Sequence, residues 1–260
     1  MKVLTWNVNS LRTRLPRLLA LLEREAPDVA LIQEVKMLEE EIPYDRLAAA
    51  GYSALVNGQR TYNGVAILSR HHGEEIARAF PGDPVPEEAR VLAARVGGLT
   101  IVCVYVINGQ SAGSPAYERK LVQLRSLRDW ITSTFDLEQP VLVGGDFNLA
   151  PDDRDVWDPA GWKGHTHATE PERAEFRALL DLGFADLFRL HHDEGGVFSW
   201  WDYRQGAFHK REGLRIDLLL GTEPLARRCT EVRIDRNERK PSAGEGAPSD
   251  HAPVIATFDD

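Results

Sequence analysis

Cysteine is almost missing from this 260-residue chain: there are two, Cys103 and Cys229, far apart in sequence. That argues against a disulfide framework and against a thiolate zinc site. Cys103 sits within the apolar run IVCVYV and reads as a small core side chain. No apolar run approaches the roughly 18 residues of a membrane span. The opening MKVLTWNVNS has no basic region, apolar stretch and cleavage site in series, so it does not read as a secretory signal. The cytoplasm is the default compartment and a monomer the default state. Positive charge is also in short supply: 31 Lys and Arg face 40 Asp and Glu, a formal net charge of −9. This disfavours a general nucleic-acid coat protein, which should be basic. It does not disfavour an enzyme with a carboxylate-rich metal site and a local basic rim.

What is present is a sequence long enough for one sizeable core, with 43% hydrophobic residues. Short apolar runs alternate with helical patterns. Lys2–Val8, Val29–Gln33, Leu55–Val56, Val65–Leu68, Val91–Val96, Thr100–Val106 and Val141–Val143 read as strands. Leu15, Leu18, Leu19 and Leu22 recur at helical spacing, and Pro27 ends that helix. Ala116–Thr134 reads as a second helix. Thr169–Leu182 reads as a third, with Thr169 and Glu172 as a capping box and Pro171 in the first turn. The C-terminal part returns to strands at Val197–Trp201, Ile216–Leu220, Glu231–Ile234 and Val254–Phe258. Asn237–Ser249 is polar and rich in Gly, Pro and charge, and reads as a surface loop. No short repeat and no linker divides the chain, so residues 1–260 read as one domain. Many strands and a few helices suggest an α/β layered sandwich, with two sheets inside and helices outside.

The chemistry lies where apolar strands meet acids or amides. LTWN ends at Asn7, VALIQE at Glu34, and VLVGGDFN at Asp146 and Asn148. Asp217 opens DLLL, and Asp250 with His251 opens HAPVIATF. A plainer reading is that each acid caps a strand or helix. For the whole set this is less economical, because unpaired charges beside buried runs are costly. Converging on one rim, these residues would form a hard-oxygen site suited to Mg²⁺ or Mn²⁺ and to metal-assisted phosphodiester hydrolysis. In GGDFN, two glycines let the backbone turn tightly so that Asp146 and Asn148 project together. Asp217 could orient the His251 imidazole.

The segment SWWDYRQGAFHKREGLRIDLLL interleaves Trp200, Trp201, Tyr203 and Phe208 with Arg204, Lys210, Arg211 and Arg215. Rings for a base or sugar and cations for phosphates are the ingredients of nucleic-acid contact, although some of these rings must fill the core. Arg236, Arg239 and Lys240 would extend this local basic patch. His71-His72 and His191-His192 read as solvated loop residues. His165 and His167, spaced i,i+2, read as an unremarkable pair and not as metal ligands.

These motifs resemble the exonuclease III family of abasic-site (AP) endonucleases, within the endonuclease/exonuclease/phosphatase superfamily. The matching strings are TWNVNSLRTRL, LIQEVK, NGVAILS, YVINGQ, GGDFNLAPDDRDVWDP, WWDYRQGAF, GLRIDLLL and SDHAPV. They run in family order over nearly the whole chain. The resemblance implies a four-layered α/β sandwich, two mixed β-sheets packed face to face with helices outside. It also implies duplex DNA with abasic sites or 3′ ends as substrate. Glu34 would be the principal Mg²⁺ ligand, with Asn7 and Asp250 nearby. Asp146 would position or deprotonate the attacking water, with Asn148 helping. His251, oriented by Asp217, would donate to a phosphate oxygen, and Tyr105 would contact the same phosphate. Trp200, Leu214 and Phe208 would line a pocket for the extruded sugar. Arg90, Lys120, Arg204 and Lys210 would contact the DNA backbone.

The sequence departs from the family pattern in three places. Ile107 stands where the family usually has Pro, in the loop that carries Asn108 and Gln110. Lys210-Arg211-Glu212 replaces a run that commonly contains Asn. KPSAGEGAPSDH is longer than the usual link to SDH. These changes would tune substrate preference. A phosphatase for inositol phosphates on the same metal site is a competing reading, opposed by WWDYR. A silent DNA-binding scaffold is another, opposed by the complete set of acids.

Overall fold

Strands whose positions are apolar throughout can bury both faces, and VALIQ at Val29–Gln33 is buried at all five positions. The computed structural model describes residues 1–259. In chain order its strands are β1 (Lys2–Asn7), β2 (Val29–Gln33), β3 (Ser53–Asn57), β4 (Val65–Ser69), β5 (Gly73–Ala77) and β6 (Val91–Val96). There follow β7 (Leu99–Tyr105), β8 (Val141–Asp146), β9 (Phe184–Asp186), β10 (Asp217–Thr222), β11 (Cys229–Ile234) and β12 (Val254–Phe258). The helices are α1 (Leu11–Glu25), α2 (Tyr44–Ala49), α3 (Pro115–Thr134), α4 (Glu170–Leu180), α5 (Ala207–Lys210) and α6 (Glu223–Ala226).

The strands form two six-stranded sheets, ordered β11-β12-β1-β2-β4-β3 and β5-β6-β7-β8-β10-β9. Each contains one parallel pair, β1 with β2 and β7 with β8, so both sheets are mixed. One core joins their inner faces: Val3, Leu31, Val65 and Ile67 from the first meet Leu92, Ile101, Cys103 and Leu219 from the second. Outside the first sheet, Leu15, Leu18 and Leu22 of α1 pack on Leu4, Trp6, Ala30 and Ile32. Outside the second, Leu124, Leu127 and Ile131 of α3 and Phe176 and Leu179 of α4 cover Val102, Val143 and Leu218. The architecture is a four-layered α/β sandwich.

Register decides where the acids go. In parallel β1 and β2, Asn7 pairs with Gln33, so Glu34 follows beside it. In the second sheet, Asp146 is the partner of both Tyr105 and Asp217. Gly144 and Gly145 allow this. A Cβ on Gly144 would meet Leu31 Cδ1 of the facing sheet at 2.8 Å. Gly145 has φ of 147°, and a Cβ there would lie 1.9 Å from the Val104 carbonyl oxygen.

Several segments differ from their sequence reading. Val197–Trp201 is not a strand; within it only Trp200 makes bridges, single ones to Leu214 and to His251. β5 and β9 have no sequence signature: GEEIA is a polar edge, and β9 has three residues. Asn237–Ser249 is not a plain surface loop. It holds two short 3₁₀ turns, Arg236–Arg239 and Pro241–Ala243. The buried Arg17 guanidinium anchors it through the carbonyls of Glu238, Lys240, Pro241, Gly244 and Gly246, at 3.0–3.1 Å. Arg215 belongs to no basic face. It is fully buried, with Asp155 at 2.6 Å and Asp186 at 2.7 Å.

Gly145→Ala is expected to destabilise the protein by about 3 kcal/mol or more, since the added methyl meets a sheet carbonyl that cannot move away. Urea unfolding checks this; a midpoint equal to that of the unsubstituted protein would show that the strand tolerates a side chain there.

Candidate active site

A carboxamide that donates both hydrogens to acids holds those acids together. Asn7, at the end of β1, donates from Nδ2 to Glu34 Oε1 at 2.8 Å and to Asp146 Oδ2 at 2.9 Å. The two carboxylates come from different sheets. Glu34 and Asn148 take left-handed φ values of 53° and 50°. Such backbone in non-glycine residues is costly and is maintained only where surrounding contacts enforce it. The Asp146 carboxylate does so for Asn148 by accepting from its backbone N–H at 2.9 Å.

His251 lies between two more acids. Its Nδ1 is 2.9 Å from Asp217 Oδ2, and its Nε2 faces Asp146 Oδ2 at 3.8 Å. Ser199 fixes Asp217: its hydroxyl donates to Oδ2 at 2.6 Å and accepts from the backbone N–H groups of Ile216 and Asp217. Burial opposes charge on the imidazole, but Asp217 and Asp146 outweigh it and push the His251 pKa up to about 10. Burial pushes Asp146 up to about 7 despite the His251 charge, with the Asp217 carboxylate adding to the rise. Burial, Glu34 and Asp146 hold the Tyr105 phenol well above its ordinary value, and the Arg90 guanidinium lies 4.7 Å from its ring centre.

Ligand atoms of Glu34, Asp146 and His251 lie within 4.8 Å of one another, and with the imidazole protonated the two carboxylates are the donors open to a cation. Both carboxylates are hard-oxygen donors of the kind that Mg²⁺ and Mn²⁺ prefer. Asp250 stands beside them. It accepts from Asn9 Nδ2 at 2.9 Å and Trp200 Nε1 at 3.1 Å. Burial works to raise its pKa, but the His251 charge and these two bonds hold it below the ordinary carboxylate value.

The fold thus brings together Asn7, Glu34, Tyr105, Asp146, Asn148, Asp217, Asp250 and His251. Asn108 joins them by donating to Asn148 Oδ1 at 3.1 Å. Trp200 and Leu214 share one apolar cluster, with Ala150, Val156 and Ile216. Phe208 does not join it. It packs edge-on against Trp201, 5.2 Å between centroids, in a separate cluster. Arg204 and Lys210 are exposed. Lys120 is not: fully buried, it pairs with the equally buried Glu172 and donates to the Asn108 and Asn148 carbonyls, supporting these loops from behind. A helix pattern alone could not show that this cation points inward.

Three participants have no site role in the sequence reading. Lys36 reaches Glu34 Oε2 at 2.7 Å and Asn9 Oδ1 at 2.6 Å. Ser199 anchors Asp217, as described. His167 is buried, its ring 6.4 Å from Trp200 and 6.0 Å from Trp162, with Nδ1 on the Asn148 carbonyl. Burial and Lys120 push its pKa down to about 3, so it is neutral near pH 7. The i,i+2 histidines were the only signal for His167. Ser199 opens the aromatic-basic string, and Lys36 follows Glu34 by two.

The profile of the Endonuclease/Exonuclease/phosphatase family matches residues 4–251. The chain belongs to this family, in its exonuclease III branch. It is 34% identical over 270 residues to exodeoxyribonuclease III of Haemophilus influenzae, covering 99% of this chain and all of that one. Among solved structures, a 3′-5′ exonuclease (NExo) from Neisseria meningitidis superposes with a TM-score of 0.95 at 38% identity, both chains covered in full. The Neisseria enzyme is also described as a 3′ phosphatase, bound to a product DNA hairpin. An AP endonuclease from Archaeoglobus fulgidus gives a TM-score of 0.93 at 34% identity, again over both whole chains. Among the described residues, no helix is long and apolar enough to cross a membrane.

Lys120→Met should lower stability by about 3–5 kcal/mol, because it leaves Glu172 charged and buried. A Lys120→Met protein that unfolds at the original urea concentration would place this cation back on the surface.

Proposed function

We propose that the protein is a DNA-repair phosphodiesterase that uses Mg²⁺, or Mn²⁺ in its place, to trim 3′ ends and to cut 5′ of abasic sites in duplex DNA. It would act as a monomer in the cytoplasm, residues 1–260 working as one catalytic domain. The observation that carries this reading is the joined constellation Glu34–Asn7–Asp146–His251–Asp217, with Tyr105 and Asn148 at its edge. Glu34, with Asn7 and Asp250 beside it, would hold the divalent ion. When bound, such an ion supplies Lewis-acid stabilisation of the charge that builds on the phosphate.

The remaining chemistry belongs to the chain. Asp146, with its raised proton affinity, is suited to orient the attacking water and take its proton. Asn148 helps hold that water. His251, kept positive by Asp217, donates to a non-bridging phosphate oxygen and stabilises the pentacoordinate state. Tyr105 donates to the same phosphate. The water oxygen bonds to phosphorus while the bond to the 3′ oxygen breaks, leaving a 3′ hydroxyl and a 5′ phosphate. Trp200 and Leu214 form the wall where a baseless sugar would rest, and a site without a stacked base is the easiest to extrude.

Two observations weight 3′ ends above internal abasic sites. The buried, neutral His167 ring lies 6.4 Å from Trp200 and narrows the room beside the wall that a sugar would rest on. The Neisseria relative at 38% identity is described as a 3′-5′ exonuclease and a 3′ phosphatase.

A product-resolved assay with Mg²⁺ on recessed-end, 3′-phosphorylated nicked and abasic duplexes, with an inositol polyphosphate alongside, tests the reading. Release from 3′ ends should be fastest, abasic nicking slower, and the inositol substrate inert. Glu34→Ala and Asp146→Ala should each lower all DNA rates by about 10²-fold or more. Undiminished rates in both variants would remove these residues from the chemistry, and turnover of the inositol substrate alone would replace the substrate class.

A further inference from the structure

A cavity of about 220 Å³ shares no lining residue with the acid site. Val197, Phe198, Trp201 and Ile234 form its apolar wall, and Arg211 and Arg236 stand at its edge. Two guanidiniums that share a small cavity repel each other, and Arg236 loses proton affinity to burial first and to Arg211 second. Neither has an ion-pair partner among the described residues. The acids next to them in sequence do not pair with them: Asp235 and Glu238 lie 2.7 and 2.9 Å from Arg24, and Glu212, adjacent to Arg211, makes no ion pair with it among the described residues.

In a protein of net charge −9, an uncompensated arginine pair is a feature to be explained. Arg236 is held in place. It donates to the Phe208 carbonyl at 2.8 Å and lies 4.0 Å from the Phe208 ring centre. Arg211 ends α5 in a left-handed conformation, with φ of 64°, which an arginine adopts at a cost.

We infer that Arg211 and Arg236 form a second phosphate subsite, which takes a sugar-phosphate of the bound DNA away from the scissile bond. This rests on DNA being the substrate. Guanidiniums match a phosphate in geometry and charge, and the apolar wall suits the carbon face of a deoxyribose. Exposed Lys210 and Arg204 lie on the same stretch of chain, between Trp200 and Arg211 in sequence.

The test is the salt dependence of duplex binding and the KM for a recessed-end duplex. Each lost phosphate contact should reduce the slope of log association constant against log salt by about 0.9. Arg211→Gln, an exposed change with no native partner to lose, should show that reduction and a raised KM. Arg211→Gln with Arg236→Gln should show about twice the reduction. Arg95→Gln, on an exposed position of β6, serves as control and should leave slope and KM unchanged. Unsubstituted protein that binds DNA with the same slope and KM as both variants would overturn the subsite and leave the DNA reading intact. Unsubstituted protein that neither binds nor cuts DNA would overturn both.

Discussion

Everything at the rim of this sandwich depends on gathering buried carboxylates without letting them repel. Glu34, Asp146, Asp217 and Asp250 come from strand ends spread over more than two hundred residues. Left alone, each would gain a proton or stay in water. Three devices keep them together: the Asn7 carboxamide between Glu34 and Asp146, the His251 imidazole between Asp146 and Asp217, and the Lys36 ammonium on Glu34. Even so, Asp146 keeps a strong pull on a proton. That residual attraction for positive charge makes the rim a place for a cation and for an attacking water.

The scaffold follows from this need. A parallel pair at the centre of each sheet sends two adjacent strand ends to the same edge, and face-to-face packing brings the two edges together. Gly144 and Gly145 make the approach close enough. The anchors behind the site are themselves buried ion pairs and carbonyl cages: Lys120 with Glu172, Arg215 with Asp155 and Asp186, and Arg17 with its five carbonyls. Such groups cost much to break and so define one arrangement of the loops. They also explain the charge balance. Several basic residues that a binding face could have used are spent inside.

Much of this was legible in the sequence, for a physical reason. A strand buried on both faces must be largely apolar, so β2 and β12, and β6 with Arg95 as its one exposed position, have the same boundaries in the sequence reading as in the structure. The acids were visible because a charge that follows such a run is conspicuous. What stayed hidden was direction. Lys120, Arg215 and Arg17 have the composition of surface residues, and only the partner across the fold shows that they point inward. The family resemblance puts Phe208 in the pocket with Trp200, but the turn between them sends the two rings to different clusters. The Asn237–Ser249 segment has a loop's composition, yet Arg17 on α1 gives it fixed structure. β5 and β9 carry too few apolar residues to signal, since they sit at sheet edges.

The central claim is that His251 is held as a cation by the acids on either side, and the titration of its ring measures this most directly. In the metal-free folded protein, the His251 ring resonances followed by NMR should stay in the protonated form through neutral pH and shift only toward pH 10. In Asp217→Asn they should shift at markedly lower pH. A ring in the unsubstituted protein that loses its proton near the ordinary histidine value of about 6.5 would contradict the account, because the carboxylates would then not be close enough, or charged enough, to act on it.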